Sequence, residues 1–309
     1  MKPVHAAALA ATLLLVPLAA NNALAQASAP SAKLNACVSC INRLSAGAYD
    51  SRKRYFSWAA KNGPTGKERI IYGTYTISDT SDCRKNIDKA NALEPRDAEL
   101  EAAATAYGDA VSKLEPLLKE ANDYYTQENY KDDRMAKGKA LHPRLIAAWD
   151  VFGGADQKLR NAVDTINDRR AAERLAEIEG KEGRKARYYI EAVMIHAKRV
   201  LRAQDSAKPD LPAITQALND YEEIVKAAEH APGSENAPKI GSMFMSNAKA
   251  YPVTAKQLMR RMRDHVPYSS GEKMILSSGG GGWMIEGSPP RLLRDYNQLV
   301  DSYNRGANI

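Results

Sequence analysis

The run LEAAATAYGDAVSKLEPLLKEANDYY, residues 100–125, decides the fold class. Its apolar and half-apolar side chains fall at Leu100, Ala104, Tyr107, Val111, Leu114, Leu118, Ala121 and Tyr125. Steps of four and three alternate without a miss, which places all eight along one side of a helix. Such a stripe is stable only when other helices cover it. Pro116 interrupts the run; it lacks an N–H and its ring crowds the carbonyl of Ser112, so a kink is expected there. The stripe keeps its register across the proline. One bent helix is therefore predicted, beginning between Glu94 and Asp97.

Other parts of the chain supply matching stripes. Leu34, Cys37, Ile41, Leu44, Ala48, Tyr55 and Trp58 predict a first helix over Ser31–Lys61, ended by Asn62-Gly63-Pro64. Leu145, Trp149, Phe152, Leu159, Val163 and Ile166 predict another, continuing past Ile178 to a break flanked by Gly180 and Gly183. Tyr189, Val193, His196 and Val200 mark the next, and Ile214, Leu218, Tyr221, Val225 and Ala228 the one after. Pro252 is expected to split residues 240–264 into two short helices, and Pro289-Pro290 to open a last helix with its stripe at Leu292, Tyr296, Leu299 and Tyr303. Only Arg69 to Ser78 has strand character, through Ile70, Ile71, Tyr72, Thr74, Tyr75, Thr76 and Ile77. With no second strand of equal quality nearby, the fold class read from the sequence is all-α. It is a single-domain bundle of long, kinked, antiparallel helices, with at most a short extended segment near residues 69–78.

The start of the chain reads as an export signal. Lys2 is a basic n-region, Ala6 to Ala20 an apolar run of h-region length, and Ala23-Leu24-Ala25 a small-residue cleavage site. Residues 1–25 are read as a signal peptide, residues 26–309 as the helical domain, and the location as periplasmic. Leu34-Asn35-Ala36-Cys37 is a poor lipobox, too far past the apolar run and preceded by Lys33, so anchoring at Cys37 is not expected. No other apolar run is long enough for a transmembrane span in the mature chain.

The net charge of +7 is spread over a surface of interspersed acids and bases. For an exported chain such a balance points to an envelope protein or an anionic envelope surface as partner, and away from nucleic acid. Arg260, Arg261 and Arg263, beside Leu258, Met259 and Met262, could face anionic headgroups. Of the cysteines Cys37, Cys40 and Cys83, an oxidising compartment would pair two. Cys40 with Cys83 is the expected disulfide, tying the first helix to the loop before the next. It closes a loop of about forty residues, worth about 3–4 kcal/mol by the chain-entropy argument. Cys37 to Cys40 also has C-x-x-C spacing, but no βαβ pattern surrounds it.

Three places together carry a family resemblance: Leu34-Asn35 through Ile41-Asn42-Arg43, the corner from Tyr124-Tyr125 to Lys139, and the closing Tyr296-Asn297-Gln298-Leu299-Val300 with Tyr303-Asn304. The set resembles a family of exported, mostly helical bacterial proteins of unknown function (DUF3829, the YiiG-like family). The resemblance implies an envelope location and a helical fold. It implies no activity, substrate or catalytic residue. Members are often lipoproteins, a feature this chain lacks the well-placed cysteine for.

Candidate chemistry concentrates at the tyrosine corner. Tyr124, Tyr125 and Tyr130 with Lys131 and Arg134 could form a stacking surface for a small molecule or glycan. Asp132 and Asp133 could bind a cation there, or simply cap a helix N-terminus, the favoured reading. His142, His196, His230 and His265 show no metal-ligand spacing, and His196 reads as a buried core histidine. No metal, cofactor or catalytic residue is assigned. The functional expectation is a non-catalytic cell-envelope protein that binds or scaffolds a partner. A ligand-binding protein using the corner Tyr124–Arg134 comes second, and an enzyme of unrecognised type third.

Overall fold

The computed structural model describes residues 19–204, 209–233, 239–277 and 281–306, with side chains from residue 31 onward. Residues 1–18, most of the expected signal peptide, lie outside the described residues. The elements are α1 (Ala19–Phe56), α2 (Ser81–Asn91), α3 (Ala98–Thr126), α4 (Ala136–Glu182), α5 (Ala186–Gln204), α6 (Leu211–Glu229), α7 (Ser242–Arg263), α8 (Ser270–Ser277) and α9 (Pro289–Gly306). Short 3-10 turns stand at Asn129–Lys131 and Gly282–Met284. Among the described residues there is no strand, only an isolated bridge between Ala60 and Gly63, and the fold is all-α. The helices gather into two compact units, one running to Ile166 and one from Asn167.

The first unit is organised on α3. Asp97 caps it, its side chain accepting from the N–H of Leu100 at 3.1 Å. All eight stripe residues from Leu100 to Tyr125 are buried, and Pro116 lies inside one continuous helix. Leu44 and Tyr55 from α1, Ile87 from α2, and Leu145, Trp149 and Phe152 from α4 complete the core. Tyr107, Leu114 and Leu118 have no exposed surface at all. Each buried leucine contributes on the order of 2 kcal/mol by area.

Two local expectations are corrected here, and a third, the segment at 69–78, gains its partners. α1 ends at Phe56, not Lys61, because the Ser57 hydroxyl donates to the Arg54 carbonyl at 2.7 Å and takes an acceptor from the final turn. Residues 69–78 form no strand, in keeping with the want of a partner strand in the sequence, and side chains of α1 and of the turn after it hold this segment as a strap. Ser51 Oγ donates to the Tyr75 carbonyl at 2.7 Å, Arg54 Nε to that of Tyr72 at 2.8 Å, and Trp58 Nε1 to that of Gly73 at 2.8 Å. Ser51 and Arg54 lie three apart on one face of α1, and Trp58 follows in the turn just past its end. The disulfide joins Cys40 to Cys83 as expected, but Cys83 sits within α2, so the bridge couples two helices and no loop.

In the second unit α5, α6, α7 and α9 surround Val193, Leu218, Tyr221, Phe244, Tyr251, Leu258, Leu292 and Leu299. The α6 stripe of Ile214, Leu218, Tyr221, Val225 and Ala228 is buried throughout. Gly183, with φ +75°, closes α4 as the sequence suggested. α7 corrects the expected split: it runs unbroken through Pro252. Proline at 252 leaves the Ala248 carbonyl without its helical donor. The buried Tyr221 hydroxyl donates to that carbonyl instead, at 2.8 Å. A neighbouring helix thus replaces the bond the proline removed.

Candidate functional site

The tyrosine corner is built, but built inward. Tyr124 and Tyr125 close α3 with their side chains in the core, and Tyr130 is half-buried against them. The Tyr125 ring centroid lies 5.0 Å from that of Trp58, 5.0 Å from Tyr124 and 6.4 Å from Tyr130. Gly138 lets α4 pass over this cluster: a Cβ there would sit 2.5 Å from Met135 Sδ and 3.1 Å from the Tyr125 hydroxyl. Burial, then the neighbouring Asp133 carboxylate, pushes the Tyr124 hydroxyl up to about 12.

The charged residues of the corner serve its backbone. Asp133 accepts from the Tyr124 hydroxyl at 2.8 Å and from the backbone N–H of Lys137 at 2.9 Å, so it caps α4. Against the burial that would raise it, those donors hold its carboxyl below the ordinary carboxylate value. Lys131 pairs with Glu128 at 2.5 Å, while Asp132 and Arg134 are exposed. Glu128, Arg134 and Met135 all take positive φ, 57°, 50° and 66°. The structure therefore brings Tyr124, Tyr125, Tyr130 and Asp133 together for packing and capping, with Lys131, Asp132 and Arg134 at the surface around them.

The remaining candidates are dispersed. His142 Nδ1 and the Tyr55 hydroxyl are 2.9 Å apart. His196 is only half-buried, which corrects its reading as a core histidine; burial, then Arg199, lowers its pKa. His230 and His265 are exposed. Arg261 stacks over Tyr268 at 4.4 Å and bonds Glu272 at 3.1 Å, and Arg263 pairs with Asp264 at 2.7 Å, so much of the basic run at the end of α7 is neutralised locally. Cys37 is free and buried, and burial pushes its thiol up to about 11, the environment of an inert cysteine. Among the described residues no group of three or more His, Cys, Asp or Glu could hold a metal ion.

Two features escaped the sequence reading. One is a buried polar network in the first unit. Asp156 accepts from Ser45 at 2.7 Å, Tyr49 at 2.9 Å and Arg160 at 2.8 Å, and Ser45 also meets the Tyr107 hydroxyl at 2.9 Å. It links α1, α3 and α4 and fixes their register. Its signal was present, since Asp156 continues the stripe of Trp149, Phe152, Leu159 and Val163 at spacing four and three.

The other is a cleft of about 410 Å³ in the second unit, between α8, the turn at Gly282–Met284 and α9. The α9 N-terminus positions it. Ser288, wholly buried, donates to the Gly282 carbonyl at 2.8 Å and accepts from the backbone N–H of Arg291 at 3.3 Å, so the cap of α9 also fixes the turn carrying Trp283. Gly282 is needed because a Cβ would lie 3.0 Å from the Pro290 ring. α9 turns Leu292 and Leu299 into the core and presents Pro290, Arg294 and Gln298 in one outer row, Leu293, Asn297 and Asp301 in the next. Arg294 lies over the Trp283 ring at 4.8 Å. Trp283 is 44% exposed, whereas Trp149 is 1% exposed. Among the described residues the side chains of Asn297, Gln298 and Asp301 make no hydrogen bond or ion pair. The cleft thus combines an indole, aliphatic walls and unshared donors and acceptors in an open groove, and is the second candidate site beside the tyrosine corner.

Comparison with known proteins covers corner and cleft alike. Residues 29–305 match the family described as protein of unknown function (DUF3829). The chain belongs to the DUF3829 family. Its similarity extends to the uncharacterized protein YiiG of Escherichia coli (strain K12), 37% identical over 276 residues, covering 88% of this chain and 78% of that protein. No solved structure matches the chain. The resemblance read from Leu34-Asn35, the tyrosine corner and the closing Tyr-Asn pairs is thereby established as DUF3829 membership.

Proposed function

We propose that this DUF3829 member is a non-catalytic binding protein of the cell envelope, and that it engages its partner through the cleft between Trp283 and α9. The observation that carries the reading is the half-exposed Trp283 facing a row of polar side chains with no bonds of their own. Asn, Gln and Asp side chains gain hydrogen bonds on binding without first having to break internal ones. The export-type start of the sequence and the Cys40–Cys83 disulfide support an oxidising compartment. No helix among the described residues is long and apolar enough to cross a membrane. The burial of Tyr124 and Tyr125 favours the cleft over the tyrosine corner as the binding surface.

Site-specific photocrosslinking in intact cells tests this. A benzophenone side chain in place of Leu293, at the cleft, is expected to capture an envelope component that the same group in place of the exposed Val151 does not. Equal labelling from both positions, or none from 293, refutes the reading. A fractionation in which the chain stays with cytoplasmic markers refutes the location.

A further inference from the structure

We infer that the ligand of the Trp283 cleft is a neutral oligosaccharide, an inference that rests on the binding function proposed above and names its chemistry. The walls set three demands. Trp283, Leu293 and Pro290 offer apolar surface, which a ligand must cover with C–H groups. Asn297, Gln298 and Asp301 offer two carboxamides and a carboxylate side by side, so the ligand must both donate and accept at neighbouring points. Of the two charges in the lining, Arg294 is already paired with Asp295 at 3.3 Å and Asp301 is a carboxylate with no ion pair among the described residues, so the cleft offers an anionic ligand no unengaged cation.

Other chemistries fail one demand each. An anionic ligand would meet the Asp301 carboxylate while Arg294 is engaged by Asp295, and a cation seeking the indole would meet the Arg294 guanidinium that lies over the Trp283 ring. A purely apolar ligand would strip water from Asn297, Gln298 and Asp301 and return no bonds, at a cost of about 1–3 kcal/mol for each stranded group. A sugar ring meets all three, with a C–H face for the indole and paired hydroxyls that donate to Asp301 and exchange bonds with the carboxamides. The helix also sets a repeat. Asn297 and Asp301 lie one turn apart, about 6 Å along the axis, and the lining from Pro290 to Asp301 runs about 16 Å, a track for more than one ring.

The chain has three tryptophans, so its 15N-labelled form gives three indole N–H signals, and W283F identifies one of them. Maltotriose, cellotriose and N,N′,N″-triacetylchitotriose serve as probes. At least one is expected to shift the Trp283 signal at millimolar concentration while those of Trp58 and Trp149 stay in place. N297A and D301A, both at exposed positions, are expected to weaken that shift about tenfold without lowering Tm. The inference is overturned if no trisaccharide moves the signal, if the shift survives both substitutions, or if inorganic phosphate moves it equally. Should crosslinking at 293 still capture an envelope protein when all sugars fail, the saccharide assignment falls and the binding function stands; should both fail, neither survives.

Discussion

Tyr221 does at residue scale what no stripe reveals. Its ring belongs to the α6 seam, but its hydroxyl serves the Ala248 carbonyl that Pro252 leaves open. The Y221F variant should lose about 1–2 kcal/mol in urea unfolding, since it strands a buried acceptor. In a P252A background the new N–H can restore the helical bond, so the same substitution should cost distinctly less. Equal costs in both backgrounds would disprove the compensation. Glu101 makes a second residue-scale case. Arg96, bonded at 2.5 Å, and Lys33, in direct contact, hold its carboxyl at about 2 against the burial that would raise it, below its ordinary 4.5. A carboxyl with a depressed folded pKa contributes stability above its unfolded value and loses it as pH falls through the folded value. Urea midpoints of the wild type should therefore drop between pH 4.5 and about 2 more steeply than those of E101Q. Parallel profiles would remove Glu101 from the acid response.

Helices whose stripes face a single core were legible in the sequence. Those of α3 and α6 are buried at every position named, because period alone fixes which face is covered. The misreadings came from partners that local sequence cannot supply. Pro252 failed to split α7 because a hydroxyl on another helix satisfied the freed carbonyl; at 69–78 the lack of a sheet was legible, but not that Ser51, Arg54 and Trp58 would take the carbonyls. The cleft was invisible for a related reason. Its rows on α9 are the polar side of an amphipathic helix, and only the turn held by Ser288 makes them one wall of a site. Two predictions belong to elements. Leu114→Ala in the α3 seam should cost about 2–5 kcal/mol in chemical denaturation, since the side chain is wholly enclosed. Reducing Cys40–Cys83, which spans a separation of 43 residues, should lower folding stability by about 3–4 kcal/mol by freeing the unfolded chain. An unchanged midpoint in either experiment would discount the seam or the bridge.

At the scale of the molecule the described residues form two principal cores with no residue in common. One runs from Leu34 to Ile166 and holds Trp149 and the aromatic corner; the other, from Val193 to Leu299, holds Tyr221, Tyr251 and the helix that forms the cleft. The shared sequence style, amphipathic helices of similar period throughout, conceals that division, because a stripe declares that it will be covered and not by which neighbour. The energetic consequence is open to measurement by native-state hydrogen exchange. Leu114→Ala removes contacts only in the first core, so faster exchange is expected through α3 and the first turns of α4, with α6 and α7 holding wild-type rates. Leu218→Ala should give the reverse pattern. If either substitution accelerates both sets of amides alike, the two cores open as one cooperative body and the division is geometric only. If the patterns separate, W283F and N297A can be read as effects on the cleft's own unit, independent of how the disulfide-bridged unit is faring.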